Sequence, residues 1–183
     1  MNSPRIQPAP PPYAPEIQAA FDRIMPPGVL PLRLFRSMAH NPRVLQRFLA
    51  GGLLDRGSIS LRERELLILR TCAICGAEYE WGVHVAAFNG KAGFSEPQLA
   101  DTCAASTDAS LWNAAEQALL ALADSLHAGS TVDDGLWQRL GKHYREEQLI
   151  ECLLLVGLYH AVSFVVNGLR VEHEAHAPRF PAR

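Results

Sequence analysis

Residues 60–91 read SLRERELLILRTCAICGAEYEWGVHVAAFNGK, and their pattern decides the fold. Ser60 with Glu63 is a capping box: each side chain serves a free backbone N–H of the other at a helix start. After it, Leu61, Glu65, Ile68, Leu69 and Cys72 recur at helical spacing, so Glu65 points where the leucines point. Gly76 breaks the run. A second helix is predicted from about Glu78 to Gly90 or Gly93. On it Glu80, His84, Ala87 and Phe88 share a face, and Glu80 and His84 stand one turn apart, close enough to touch. Two carboxylates and one imidazole are thus expected on the inner sides of two consecutive helices.

Working outward, the same helical spacing continues on both sides. Residues 1–14 form a proline-rich arm that favours extended conformations and buries no core alone. A single domain follows over residues 15–178. Pro15 to Met25 reads as a helix stopped by Pro26-Pro27-Gly28, and Leu30 to Met38 as a shorter one. Asn41-Pro42 starts a helix running to about Leu54. Downstream, Ser95 with Gln98 caps a helix to about Ala105. Residues 110–127 read as one long helix, and Thr131 with Asp134 caps the next, to about Tyr144. The last helix, Glu146 to Leu169, is apolar nearly all round, which predicts burial on all sides as a hub or in a subunit interface. No strand alternation, internal repeat or long charge run appears. The fold class is all-α.

Composition narrows the function. The chain has 183 residues, enough for a substantial core. Its net charge of −2 argues against nucleic acid, which calls for a basic patch. The N-terminus lacks an apolar signal core, and Glu151 and His160 interrupt the most apolar stretch, so a membrane span is not expected. Four cysteines make no disulfide scaffold, and reduced thiols in the cytoplasm are expected.

The chain resembles the carboxymuconolactone decarboxylase family, which includes the AhpD-like alkylhydroperoxidases. The resemblance rests on Arg64-Glu65-Leu66 through Glu78-Tyr79-Glu80-Trp81 to His84, followed by Gly93-Phe94-Ser95. It extends to Ala39-His40-Asn41-Pro42 and to Val156-Gly157-Leu158-Tyr159-His160, covering roughly residues 30–170. It implies an all-helical homo-oligomer, a trimer or hexamer. In the peroxidase branch a Cys-x-x-Cys opens the second central helix, with a His four residues after the second Cys. Those positions here are Ala77 and Glu80. A relay Glu in that branch falls on Glu65. In the decarboxylase branch a Glu stands four residues before the His, as Glu80 does before His84.

The candidate catalytic residues are therefore Glu65, Glu80 and His84. A carboxylate beside His84 raises its pKa and gives an imidazolium able to donate a proton. Convergence of the two carboxylates would push their pKa values apart and yield an acid and a base. The alternatives are a surface ion pair for Glu80 and His84, and for Glu65 a structural pair with Arg64 or Arg70. Arg62 or Arg64 could hold a substrate carboxylate. Tyr79, Trp81 and His160 could line the substrate pocket, though core packing explains them equally simply.

Cys72 and Cys75 have redox spacing in the wrong place. They sit near a helix C-terminus, where the macrodipole disfavours thiolate. Glu65, Glu80, His84 and His160 could bind zinc, iron or manganese, but metal-free proton transfer ranks above this, and no cofactor is expected. Three functions follow: a cofactor-independent lyase or isomerase acting on a small carboxylated or lactone substrate, a hydroperoxide or disulfide reductase using Cys72 and Cys75, or a non-catalytic oligomeric binding protein.

Overall fold

A computed structural model describes residues 3–181; Met1 and Asn2 of the proline-rich arm lie outside them. The described residues contain nine α-helices and no strand. These are α1 (Pro15–Ile24), α2 (Arg33–Met38), α3 (Pro42–Ala50), α4 (Leu61–Ile74), α5 (Glu78–Ala92), α6 (Glu96–Thr102), α7 (Ala114–Gly129), α8 (Asp134–Leu140) and α9 (Glu146–Leu169). The hub is α4, which packs against α5, α7 and α9. Every residue from Arg64 to Cys72 is buried. That accounts for its mixed sequence: a helix enclosed on all sides has no purely polar face, and its charged residues must be paired internally.

The caps fall where the sequence places them. Ser60 with Glu63 and Ser95 with Gln98 form reciprocal capping boxes, and the Asn41 side chain accepts from the Val44 N–H. Elsewhere the boundaries move. Asn113 and Glu116 form a further capping box, so the predicted 110–127 helix is a short 3-10 turn followed by α7. Asp133, not Thr131, caps α8 by accepting from the Leu136 N–H at 2.7 Å. The third helix stops at Ala50 because Gly51-Gly52 follows.

Within this chain the hub buried on all sides is α4, not α9. On α9, Leu149, Cys152, Leu155, Val156, Tyr159, Val162 and Val166 face inward. Ile150, Leu154 and Phe164 are 66%, 61% and 70% exposed, so α9 carries an uncovered apolar side. Its length and mean hydropathy of 2.1 match a membrane span by composition, yet its inner side is bundle core.

The turn from α4 to α5 sets the site. Gly76 adopts φ 64°, the left-handed conformation that glycine takes without a Cβ clash. The Ala77 N–H donates to the Cys72 carbonyl (2.8 Å) and the Gly76 N–H to that of Ala73 (3.0 Å), a Schellman ending. The chain then reverses, and α5 lies along α4.

The described segments near both ends lie on the helices. Arg5 donates to the Leu169 and Gly168 carbonyls, and Tyr13 stacks edge-on to Phe21 at 4.9 Å. The ordered C-terminal tail continues past 178: Phe180 packs on Trp81 at 5.5 Å, and Glu78 bonds Arg179 and the Phe180 N–H. The tail crosses α5 at Gly82, where any Cβ would collide with the Pro178 carbonyl oxygen. Gly82→Ala is expected to lift the tail and cost about 1–3 kcal/mol, the usual penalty for overpacking. Chemical denaturation and limited proteolysis of the C-terminus measure both effects; wild-type values in the variant would show that the tail does not need this glycine.

Candidate functional site

The inner sides of α4, α5 and α9 meet at His84. Its Nδ1 lies 2.7 Å from Glu65 Oε2 on α4. Its Nε2 lies 3.0 Å from the Tyr159 hydroxyl on α9 and 3.4 Å from Glu80 Oε1 on its own helix. Glu65 Oε1 accepts twice from Arg64, from Nε at 2.9 Å and from Nη2 at 2.7 Å. Arg64 also donates to the Leu54 carbonyl at 2.6 Å, which ties the network to the loop before α4. Glu65 is 1% exposed, His84 3% and Glu80 6%.

The three candidate catalytic side chains therefore converge, with the imidazole between the two carboxylates. The short bond is the one to Glu65, whereas the helical spacing had favoured Glu80 as the group that orients His84. Glu65 also makes the pair with Arg64 that had stood as its structural alternative. One buried carboxylate serves both contacts.

Burial alone opposes a charge on His84. The hydrogen bonds and negative charges of Glu65 and Glu80 together outweigh it and push the pKa up to about 9. The ring is then an imidazolium at neutral pH. Nδ1–H donates to Glu65, and Nε2–H points to Tyr159 and Glu80. The second oxygen of Glu80 is buried without a hydrogen-bond partner, which leaves one acceptor free inside the network.

Phe88 lies over the imidazole at 5.2 Å between ring centroids, and the Arg64 guanidinium lies over the Phe88 ring at 5.0 Å. Phe88 is half-buried and its neighbour Ala87 is exposed, so the predicted shared face reaches the surface there. Arg64 also lines a pocket of about 270 Å³ with Leu54, Ile59, Leu61 and Glu151. A larger cavity of about 460 Å³ lies between α3 and α9, away from His84.

Other candidates are held elsewhere. Tyr79 accepts from the Leu34 N–H (3.2 Å) and donates to Glu174 (2.8 Å). Trp81 donates to the Thr102 hydroxyl at 3.1 Å. Arg62 bonds Glu116 at 2.6 Å, and Arg70 bonds Asp124 at 2.7 Å. These polar groups are used in joining helices. His160 does not reach the His84 network; its Nε2 meets His127 on α7, beside Cys75. It cannot complete a metal site with Glu65, Glu80 and His84.

Cys72 is fully buried. Burial, then the Glu80 charge, push its thiol pKa well up. Cys75, half-buried, is also raised by burial, against a hydrogen bond from Ser163. The surroundings that favour an imidazolium disfavour a thiolate.

Tyr159 is the residue that local pattern did not single out as part of the site. Its one signal in the sequence is an aromatic with a polar tip inside an otherwise apolar helix.

With this geometry in hand, the chain can be placed among known proteins. The carboxymuconolactone decarboxylase family matches residues 41–124, the segment from α3 into α7 that carries Glu65, Glu80 and His84. No curated protein matches the sequence. Solved structures show the same fold. An uncharacterized peroxidase-related protein from Silicibacter sp. TM1040 superposes with a TM-score of 0.79 at 17% identity, covering 98% of this chain and 97% of that one. The alkylhydroperoxidase AhpD core of a peroxidase-related protein from Ralstonia eutropha JMP134 gives 0.74 at 18%, covering 93% of each chain. The debrominase Bmp8, solved with 2,3,4-tribromopyrrole, gives 0.74 at 19%, covering 96% and 94%. The described residues share the all-helical fold of these AhpD-like structures. Within that fold, the segment 41–124 matches the carboxymuconolactone decarboxylase family.

Two measurements test the site. The His84 ring should titrate near pH 9 by NMR. Because its folded pKa is raised, its contribution to stability is complete below the unfolded value of about 6.5 and is lost as pH rises through about 9. Glu65→Leu should destabilise the fold by about 3–5 kcal/mol, because it leaves Arg64 and His84 buried without their shared partner. A His84 titration near pH 6.5, or a loss under about 1 kcal/mol for Glu65→Leu, would contradict the network.

Proposed function

We propose that this protein is a cofactor-independent proton-transfer enzyme, a lyase or isomerase acting on a small carboxylated or lactone-type substrate. The observation that carries the reading is the placement of His84: both ring nitrogens face carboxylates in a water-poor interior, and Nε2 points to Tyr159.

In the decarboxylating form the C–C bond to the substrate carboxylate breaks and carbon dioxide leaves. The bonding electron pair stays on carbon as an enolate, delocalised into the lactone carbonyl. His84 Nε2 delivers its proton to that carbon. Glu65 holds Nδ1–H and the ring orientation throughout. Glu80 and the Tyr159 hydroxyl, both beside Nε2, return a proton from solvent. Such general acid assistance is worth about 10²–10⁴-fold. In this reading Arg64, which lines the 270 Å³ pocket and bonds Glu65, meets a substrate anion there. Phe88 covers His84, so substrate reaches the ring when Phe88 swings outward.

The burial of Cys72 and the raised thiol pKa values favour this reading over a thiol peroxidase, since thiolate is the reactive form. A homo-oligomer accords with the uncovered apolar side of α9, formed by Ile150, Leu154 and Phe164.

A panel of carboxylated lactones, assayed for carbon dioxide release and for isomerisation, tests the activity. His84→Gln should remove turnover of any substrate found, while Cys72→Ala should leave it nearly unchanged. Turnover that survives His84→Gln, or peroxide reduction that disappears with Cys72→Ala, would replace this reading with the redox one. Leu154→Asp should shift the protein to a smaller species in sedimentation velocity; an unchanged species would separate the α9 face from assembly.

A further inference from the structure

A second set of reactive side chains lies outside the His84 network, where α4, α7 and α9 come together. Cys75 caps the C-terminus of α4, His127 stands in the last turn of α7, and His160 lies midway along α9. His127 Nδ1 is 3.0 Å from His160 Nε2 and 3.7 Å from Cys75 Sγ. The three atoms all fall within 4.8 Å of one another. We propose that Cys75, His127 and His160 form a binding site for a zinc-type divalent transition-metal ion, with a fourth coordination position open to solvent.

The spacing fits such an ion. Tetrahedral zinc takes nitrogen at about 2.0–2.1 Å and sulfur at about 2.3 Å, which separates ligand atoms by roughly 3.3 Å for N···N and roughly 3.6 Å for N···S. The observed 3.0 and 3.7 Å lie close to those separations, and the third pair, Cys75 and His160, falls within 4.8 Å, a span that side-chain rotation can close. One thiolate and two imidazoles are borderline-soft donors, suited to zinc or cobalt and poorly suited to magnesium or calcium.

Supporting contacts orient the donors. His160 Nδ1–H donates to the Val156 carbonyl at 2.9 Å, which leaves the Nε2 lone pair aimed at the site. A backbone acceptor on the far nitrogen is the usual outer support of a metal-bound histidine. Asn167 donates to the Cys75 carbonyl at 2.8 Å and holds the α4 terminus against α9. His127 is exposed, so an ion has a path in and water can take the fourth position. Without metal, His127 Nδ1–H is the donor to His160. On binding, that proton moves to the solvent-facing Nε2, and Cys75 gives up its thiol proton to solvent. One proton is released, and the S–H bond is replaced by an S–metal bond.

The site is independent of the proton-transfer reading, because it shares no residue with Glu65, Glu80, His84 or Tyr159. It also gives Cys75 a role other than redox pairing with Cys72.

The full-length chain, stripped with a chelator and dialysed, should bind one equivalent of Co²⁺ with a thiolate-to-cobalt band in the near ultraviolet and tetrahedral d–d bands in the visible. Zn²⁺ should displace the Co²⁺, and Mg²⁺ should not. Cys75→Ser should abolish the near-ultraviolet band. His127→Ala and His160→Ala should each weaken Co²⁺ binding about 10-fold or more. His84→Gln should leave the titration unchanged, and circular dichroism should report an intact fold in every variant. His127 is exposed, so its variant separates ligation from folding. No Co²⁺ binding by the folded chain, a spectrum without the thiolate band, or unchanged affinity in His127→Ala would each overturn the site.

Discussion

Glu65 is a carboxylate with almost no contact with water, on a helix enclosed by its neighbours α5, α6, α7 and α9. An ionised carboxylate in such a place is stable only if its charge is matched and its lone pairs are filled. Arg64 occupies one oxygen and His84 the other. Much of the arrangement around it serves that match. The left-handed Gly76 turns α5 back along α4 so that His84 arrives opposite Glu65. Arg64 anchors to Leu54, which fixes where the loop enters α4. Tyr159 brings α9 to the remaining ring nitrogen. A slip of one residue between α4 and α5 would strand a buried charge, so the network sets the register of the central helix pair as well as the chemistry of its interior.

The same electric field sorts the nucleophiles and acids of the interior. Two carboxylates beside His84 hold its proton on up to about pH 9. Glu80 also faces Cys72, where negative charge and burial both keep the thiol protonated. One environment thus strengthens a cation on α5 and suppresses an anion on α4. That contrast is the physical basis of the proposed proton-transfer reading, in a chain with no cysteine at positions 77 and 80. The cysteines it retains at 72 and 75 stand at the wrong end of α4, without the dipole that activates a thiol.

Along α4, the His84 network and the Cys75 cluster stand well apart. Glu65 lies one turn into the helix, and Cys75 closes it about ten residues later, roughly 15 Å along the axis. The two centres share helices but no side chains. The first is closed, covered by Phe88, and held by hydrogen bonds at nearly every atom. The second reaches the surface at His127.

Much of this was legible in the chain itself, and the reason is that local signals have local causes. Ser60, Asn41 and Ser95 mark helix starts because a cap bonds a backbone three residues away. Glu65 could be read as inward-facing because helical period fixes the face, and Glu80 with His84 because one turn separates them. The all-helical class and the resemblance of residues 60–95 to a known family have the same origin. Tertiary packing decided the rest. Nothing local tells that Tyr159, 75 residues from His84, supplies its third partner, or that His160 turns away to His127. Nor does composition say that α4 is enclosed while the more apolar α9 keeps an open side. Those outcomes depend on which helices become neighbours, and that is settled by the fit of whole surfaces, which no short stretch of sequence encodes.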